Sequence, residues 1–266
     1  MDAELGHIFN SVAVNPAAPG ISPFLARFQN GDPAFSAKRI QDHSVFGTPE
    51  IPEDEQLPPK VQNMITQIQE AESTSEKVTL AHQFAGMHIK NQTQDFNEER
   101  EVPFAELAHD PHGDCTDYAA FTVGLLQRGG VDPGHIMRIT ALVEIQKDSG
   151  QNITDIHSNV IVYENGDDYL LADNNLADVI PLDPSDPVVY ADLTNDDMTS
   201  RSPASLEIKH LAIIQDAKGQ TYMDPVAASK ILEWQNAQQP ETQPEPIQPA
   251  PPQAETLHMP MIGGGM

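Results

Sequence analysis

The chain has 266 residues, enough for one large domain or two small ones, and a formal net charge of −26. It holds 14 basic and 40 acidic residues, which argues against nucleic acid and anionic membrane surfaces as partners, because phosphate groups are bound by clusters of Lys and Arg. The single cysteine excludes an internal disulfide, so the fold does not depend on an oxidising compartment.

Targeting signals are not visible in the sequence. The N-terminus lacks the basic flank and apolar core of a signal peptide, and no apolar run is long enough to insert into a membrane. We therefore expect a soluble, cytoplasmic protein, with export by a route that needs no signal peptide left open.

The two ends of the chain differ from its middle in composition. Residues 1–59 are weakly patterned and contain repeated turn formers, which predicts a weakly structured N-terminal arm. Residues 236–266 are rich in Pro and contain no Lys or Arg, a composition typical of a disordered tail. The predicted domain therefore occupies residues 60–235.

Two helices are predicted in the first part of this domain. After the Pro pair at 58–59, apolar residues recur at helical spacing, namely Val61, Met64, Ile65, Ile68 and Ala71. Ser73 and Glu76 form a candidate capping box for a second helix that runs to about Ile89. The polar segment 91–111 is predicted to be a loop.

The only cysteine opens the most apolar stretch of the chain. Gly113 permits a tight turn, and Asp114 is a natural N-cap for a helix that begins at Cys115 or one residue later. Residues 118–126 are nearly all apolar, so this helix is predicted to be buried on all sides. Backbone N–H groups at a helix N-terminus favour a thiolate, which makes Cys115 a candidate nucleophile. The alternative is a buried cysteine that acts as a small hydrophobic residue.

After this helix the apolar period changes to two, which indicates β-strands. The first predicted strand has one apolar face, formed by Met137, Ile139, Ala141, Val143 and Ile145. A second strand at 156–163 and a third at 169–173 are joined by a turn at 164–166.

The last part of the domain is less regular in pattern. Segment 177–203 is rich in Asp and Pro and is predicted to be irregular. It is followed by predicted strands at 206–214 and 221–223 and by a short helix near 226–234. Helices followed by consecutive strands indicate an α+β fold.

The register of the predicted hairpin decides whether His157 and Asp173 can meet. A three-residue loop with Gly166 in the left-handed conformation places His157 opposite Asp173, with Cβ atoms about 4.5–5.5 Å apart. A two-residue turn shifts the register by one and puts the two side chains on opposite faces. The sequence does not decide between them. The first register gives an imidazole–carboxylate pair, which is the base and orienting group that a nucleophilic thiol needs.

The motif Gly113-Asp114-Cys115-Thr116-Asp117-Tyr118-Ala119, followed by His157 at a strand start and Asp173 at a strand end, resembles the bacterial transglutaminase-like cysteine peptidases. The resemblance implies an α+β, papain-like or transglutaminase-like core, in which a buried helix starting at the cysteine packs on an antiparallel sheet. It also implies that Cys115 is the nucleophile, His157 the base and Asp173 the orienting carboxylate. Members of this family include periplasmic proteases that clip biofilm adhesins. Those members carry an export signal and this sequence shows none, so their compartment and substrate do not transfer. A peptidase of this family implies only a protein or peptide substrate.

A calcium site is suggested only by the same family resemblance. Calcium-dependent members use acidic residues that flank the cysteine, and Asp114 and Asp117 match that pattern, whereas Thr116 replaces a usual Glu. Calcium is thus a candidate ligand at Asp114 and Asp117, and no cofactor is required. The two carboxylates also suit an N-cap and a first helical turn, which needs no metal.

These observations favour a thiol hydrolase, a cysteine peptidase that cleaves a peptide or amide bond through a Cys-His-Asp triad. The alternatives are an acyl transferase of the transglutaminase type and a catalytically inactive protein-binding module on the same fold. The Cys115 backbone N–H is one expected oxyanion donor, and candidates for the second are Asn91, Gln92 and Gln94. The sequence does not indicate an oligomeric state.

Overall fold

The computed structural model describes most of the predicted domain and little of the two ends. The described residues are 38–40, 57–92, 102–165, 168–183, 188–194, 198–217, 221–223 and 225–238. Most of the predicted arm and tail lie outside them, so those two predictions stay predictions. Within the arm, Lys38–Ile40 forms a short strand.

The helices of the described residues are α1 (Pro59–Glu70), α2 (Thr74–His88), α3 (Phe104–His109), α4 (Cys115–Arg128) and α5 (Pro225–Gln238). Half of the predicted capping box is present at the start of α2, where the Ser73 side chain accepts a hydrogen bond from the Glu76 backbone N–H at 3.1 Å. The Glu76 carboxylate accepts from the Glu72 backbone N–H, at 3.1 Å, rather than from that of Ser73. None of the described helices is long and apolar enough to span a membrane.

The prediction of a loop over 91–111 is wrong at α3. This helix is too short to be stable alone, but Phe104 and Leu107 are buried, and the Phe104 ring stacks on Phe121 of α4 with centroids 4.9 Å apart. Tertiary packing rather than local propensity therefore forms α3.

The strands are β1 (Lys38–Ile40), β2 (Lys90–Asn91), β3 (His112–Gly113), β4 (Ile136–Lys147), β5 (Asn152–Asn165), β6 (Asp168–Ala172), β7 (Ile180–Leu182), β8 (Val188–Leu193), β9 (Ser202–Asp216) and β10 (Thr221–Met223). β2 and β3 form a separate parallel pair. The others form one antiparallel sheet in the order β1-β10-β9-β4-β5-β6-β7, with β8 paired to β9.

The prediction of irregular structure over 177–203 is wrong at β7 and β8. β7 pairs with β6 at one end of the sheet, where Pro181 is tolerated because an edge strand needs hydrogen bonds on one side only. β8 pairs with the first half of β9. Both pairings join consecutive strands, but the Asp and Pro in their sequences hide the strand pattern.

The β5–β6 hairpin has neither of the two registers that the sequence left open. Ile161 pairs with Leu171, two residues beyond its partner in the first of them, and the ladder shifts at a bulge between Tyr163 and Asn165. A shift of two preserves side-chain parity. His157 and Asp173 therefore share a face, as in the first register, but their relation is diagonal rather than directly opposite.

Three hydrophobic clusters pack against the sheet among the described residues. In the first, α1 to α4 pack on β5 and β6, around Val160. The second is formed by β4 to β9 and includes Ile139. In the third, α5 packs on β4 and β9, around Leu142. Of the candidate catalytic residues, Asp173 directly follows β6 and Cys115 begins α4.

Candidate active site

Two carboxylates fix the start of α4. Asp114 Oδ1 accepts hydrogen bonds from the backbone N–H groups of Thr116, at 2.7 Å, and Asp117, at 3.3 Å. Asp117 Oδ2 accepts in return from the Asp114 backbone N–H at 3.2 Å, which completes a capping box. Asp117 Oδ1 also accepts from the Val102 backbone N–H at 3.0 Å. These bonds make Cys115 the first residue of the helix, with its thiol half-buried.

The same bonds bear on the calcium hypothesis. Asp114 and Asp117 lie together as the sequence suggested, but their oxygens accept backbone N–H groups. No group of three or more His, Cys, Asp or Glu side chains within the described ranges could hold a metal ion. Calcium takes six to eight oxygen ligands, so these two carboxylates could supply only part of a calcium shell.

Thermal stability tests the calcium hypothesis, because a ligand stabilises a protein only by binding its folded state. If Asp114 and Asp117 hold calcium, the thermal midpoint should rise by several degrees in CaCl₂ relative to EGTA, and Asp114→Asn should abolish the rise. MgCl₂ at equal ionic strength is the control. Equal midpoints in CaCl₂ and in EGTA would count against a site beside Cys115.

His157 and Asp173 form a buried pair. His157 Nε2 lies 2.9 Å from Asp173 Oδ1, and the two side chains are 6% and 0% exposed. Asp173 Oδ1 also accepts from the Asn175 backbone N–H at 2.7 Å. With the Asn159 amide oriented to satisfy its neighbours, its nitrogen donates to Asp173 Oδ2. Hydrogen bonds therefore hold both carboxylate oxygens in place, and Oδ1 in turn orients the imidazole.

The Cys115 sulfur lies beside the same imidazole. Burial opposes protonation of His157, but the charges of Asp173 and Cys115, with hydrogen bonds to both, outweigh it and raise the pKa of His157 well above its ordinary value. Because Nε2 is engaged by Asp173, we assign Nδ1 to the sulfur. The structure therefore brings together the three residues that the sequence singled out.

Several polar residues around Asp173 were missed in the sequence. Asn159 and Asn175 hold its carboxylate, and their signal was a polar residue within or just after an apolar strand. The Tyr118 hydroxyl lies 2.6 Å from His82 Nδ1 in a buried contact. Burial raises the pKa of Tyr118, and the charge of Asp173 raises it further, so the phenol stays neutral. Burial also lowers the pKa of His82.

Two of the candidate oxyanion donors lie alongside the loop that precedes Cys115. Asn91 pairs with Gly113 in the β2–β3 ladder, and the Gln92 backbone N–H donates to the Gly113 carbonyl at 2.9 Å. Both side chains are exposed. Gln94 lies outside the described residues.

A protein-family model matches the part of the chain that contains this site. Residues 60–191, which contain Cys115, His157 and Asp173, match the family model described as a transglutaminase-like domain. The chain carries a transglutaminase-like domain. Its α+β architecture, with a buried helix that starts at the cysteine and packs on an antiparallel sheet, confirms the predicted fold class.

Solved structures similar to this transglutaminase-like domain include Legionella pneumophila LapG, at 14% identity and a TM-score of 0.35, covering 66% of this chain and 94% of LapG. EGTA-treated LapG from the same organism matches at 14% identity and a TM-score of 0.29, covering 56% of this chain and 85% of that one. Calcium-bound LapG matches at 14% identity and a TM-score of 0.28, covering 56% and 87%. No curated protein matches the chain.

Proposed function

We propose that the transglutaminase-like domain is a thiol hydrolase, a cysteine peptidase that cleaves a peptide or amide bond with Cys115, His157 and Asp173. One observation carries the proposal. A buried, charge-stabilised imidazole lies beside the half-buried thiol at the first residue of a buried helix. This arrangement supplies a nucleophile, a base and an orienting group together.

The reaction would proceed through an acyl-enzyme. The Cys115 sulfur attacks the carbonyl carbon, and the C–N bond breaks as His157 gives its proton to the leaving amine. Water then attacks the thioester, His157 takes its proton, and the thiolate leaves. Asp173 holds the imidazole tautomer and stabilises the imidazolium in both halves.

The developing oxyanion needs donors near the sulfur. The Cys115 backbone N–H belongs to the first turn of α4, where N–H groups have no partner within the helix, so it can point at the substrate oxygen. We propose Gln92 as the second donor, because its backbone hydrogen bond to Gly113 holds it beside the loop that leads to Cys115.

The acyl-transferase alternative differs only in the group that attacks the thioester, an amine instead of water. If the domain only bound a partner, the buried His157–Asp173 pair would have no function. Burying two charged groups costs free energy of folding unless they are well paired, so a chain that only binds gains nothing from them beside an accessible thiol.

Thiol labelling tests the proposal, because Cys115 is the only cysteine and all label reports on it. We expect iodoacetamide at pH 6 to label the native protein at least about tenfold faster than the urea-denatured protein, since imidazolium beside the sulfur stabilises the thiolate. Cys115→Ser is the blank. Slower labelling of the native protein would reject a catalytic thiol.

A second measurement separates hydrolysis from acyl transfer. A peptide library incubated with a fluorescent primary amine yields free carboxylates if water attacks and fluorescent amides if the amine does. The proposal expects carboxylates as the main product.

A further inference from the structure

A cavity of about 430 Å³ opens against the imidazole of the site. Its lining includes His157 and Asn175, together with aliphatic side chains from β4, β5 and β8. The volume lies within the range of about 300–1,000 Å³ that small-ligand sites occupy. The cavity is therefore continuous with the candidate active site.

We propose that this cavity binds an aliphatic side chain of the substrate, on the residue that follows the scissile bond. The proposal rests on the proposed function, which supplies the scissile bond and its direction. It adds a specificity that the catalytic residues alone do not set.

The residues that line the cavity indicate that the substrate side chain is aliphatic. Val143, Ile145 and Leu193 form a buried floor, at 0%, 5% and 8% exposure, and Ile153 lines one side. An aliphatic group placed there leaves water for an apolar surface, which is favourable in proportion to the area buried. A charged group would lose its hydration without gaining a partner on the floor.

The rim of the cavity carries charged groups of both signs. Lys147 and Asp155 both line it and offset each other, and the His157 imidazole, whose pKa is raised, is already paired with Asp173. These groups therefore do not select a charged substrate. Ser202, which is exposed at the start of β9, also lines it and offers a hydroxyl to the peptide backbone. A polypeptide can therefore keep its polar backbone at the rim while one side chain reaches the floor.

The position of the cavity relative to the reacting groups indicates the leaving-group side. Among the described residues, its lining includes His157 but not Cys115. During cleavage the acyl part becomes bonded to the Cys115 sulfur, whereas the leaving amine takes its proton from His157. The space beyond the imidazole therefore belongs to the residue that carries the leaving amine.

Small electrophiles test the proposal without a known substrate. Chloroacetyl-leucinamide, chloroacetyl-aspartamide and chloroacetyl-glycinamide each form a thioether with Cys115 and release chloride. Each carries its amino acid on the amide nitrogen, the leaving-group side of the carbonyl. We expect the leucine probe to react about tenfold or more faster than the glycine probe, and the aspartate probe to gain no such advantage.

Two variants link that preference to the cavity. Ile153→Asp places a charge on its wall, and Ser202→Phe fills it from an exposed position, so the ratio of leucine to glycine rates should fall towards one in both. Tyr190→Ser is the matched control, because Tyr190 is 81% exposed on β8 and does not line this cavity. Its ratio should equal that of the unaltered protein.

The outcomes separate this proposal from the proposed function. Equal rates for leucine and glycine probes, with fast native labelling by iodoacetamide, would overturn the cavity proposal alone. The same follows if both variants keep the leucine preference, or if the preference appears only with acetyl-leucine chloromethyl ketone, which carries its side chain on the acyl side. Slow native labelling by iodoacetamide would instead reject the proposed function.

Discussion

Replacing His157 by Ala should lower kcat/KM for peptide hydrolysis by about 10⁴-fold or more, because the loss of a general base that acts with the nucleophile costs nearly as much as losing the whole catalytic unit. Without the imidazole, the Cys115 thiol loses the group that accepts its proton and later protonates the leaving amine. Steady-state cleavage of a fluorogenic peptide taken from the library measures this effect.

The control for this variant is His109→Ala, since His109 is exposed at the end of α3. It should keep full activity. Iodoacetamide labelling at pH 6 should also slow in His157→Ala, because the imidazolium that stabilises the thiolate is gone. A variant that is folded by circular dichroism and keeps more than about a tenth of the activity would remove His157 from the mechanism.

Asp173→Asn should lower kcat/KM by about 10–10³-fold while the fold stays intact. The change costs about 10⁴ in serine triads, where the amide favours the wrong tautomer, and less where a thiolate–imidazolium pair is partly preformed. Both oxygens of Asp173 accept hydrogen bonds, from His157, the Asn175 backbone and Asn159. An amide nitrogen in either position faces an N–H donor instead of accepting from it.

Activity and labelling of the folded Asp173→Asn variant should be measured together. Asp148→Asn, on an exposed loop, is the matched control for removing one negative charge. Wild-type activity and labelling in Asp173→Asn would mean that Asp173 is only a polar residue at a strand end.

The raised pKa of His157 also predicts how stability depends on pH. A group whose pKa is raised on folding contributes stability that is fully present below its unfolded pKa, near 6.5, and is lost as pH rises through the folded value. The difference in thermal midpoint between wild type and Asp173→Asn should therefore shrink as pH is raised from 6.5. A difference that stays constant to pH 9 would contradict the assigned cause of the shift.

The local features of this fold could be predicted from the sequence. Asp114 and Asp117 lie within three residues of the helix they cap, so their hydrogen bonds follow from chain geometry alone. The apolar alternation from Met137 to Ile145 likewise indicates one face of β4. The site prediction depended on the same kind of signal, a cysteine at a helix start and a His and an Asp in apolar strands.

The features that the sequence did not reveal depend on pairing and packing partners outside the segment itself. β8 is a strand because β9 pairs with it, and α3 is a helix because Phe104 packs on Phe121. The hairpin register depended on a bulge, which adds a residue without a compositional signal. The observed register differs by two residues from the first register considered. The side chains of His157 and Asp173 therefore stay on the same face and still meet.

The two attachments that flank residues 93–101 have a consequence for protein engineering. On one side the Gln92 backbone is bonded to Gly113, and on the other the Val102 backbone is bonded to Asp117. The first bond holds the turn before Cys115, and the second holds the first turn of the helix that follows it. A change at one attachment therefore leaves the other to keep the thiol in position, so single substitutions at either attachment should be tolerated better than changes at both.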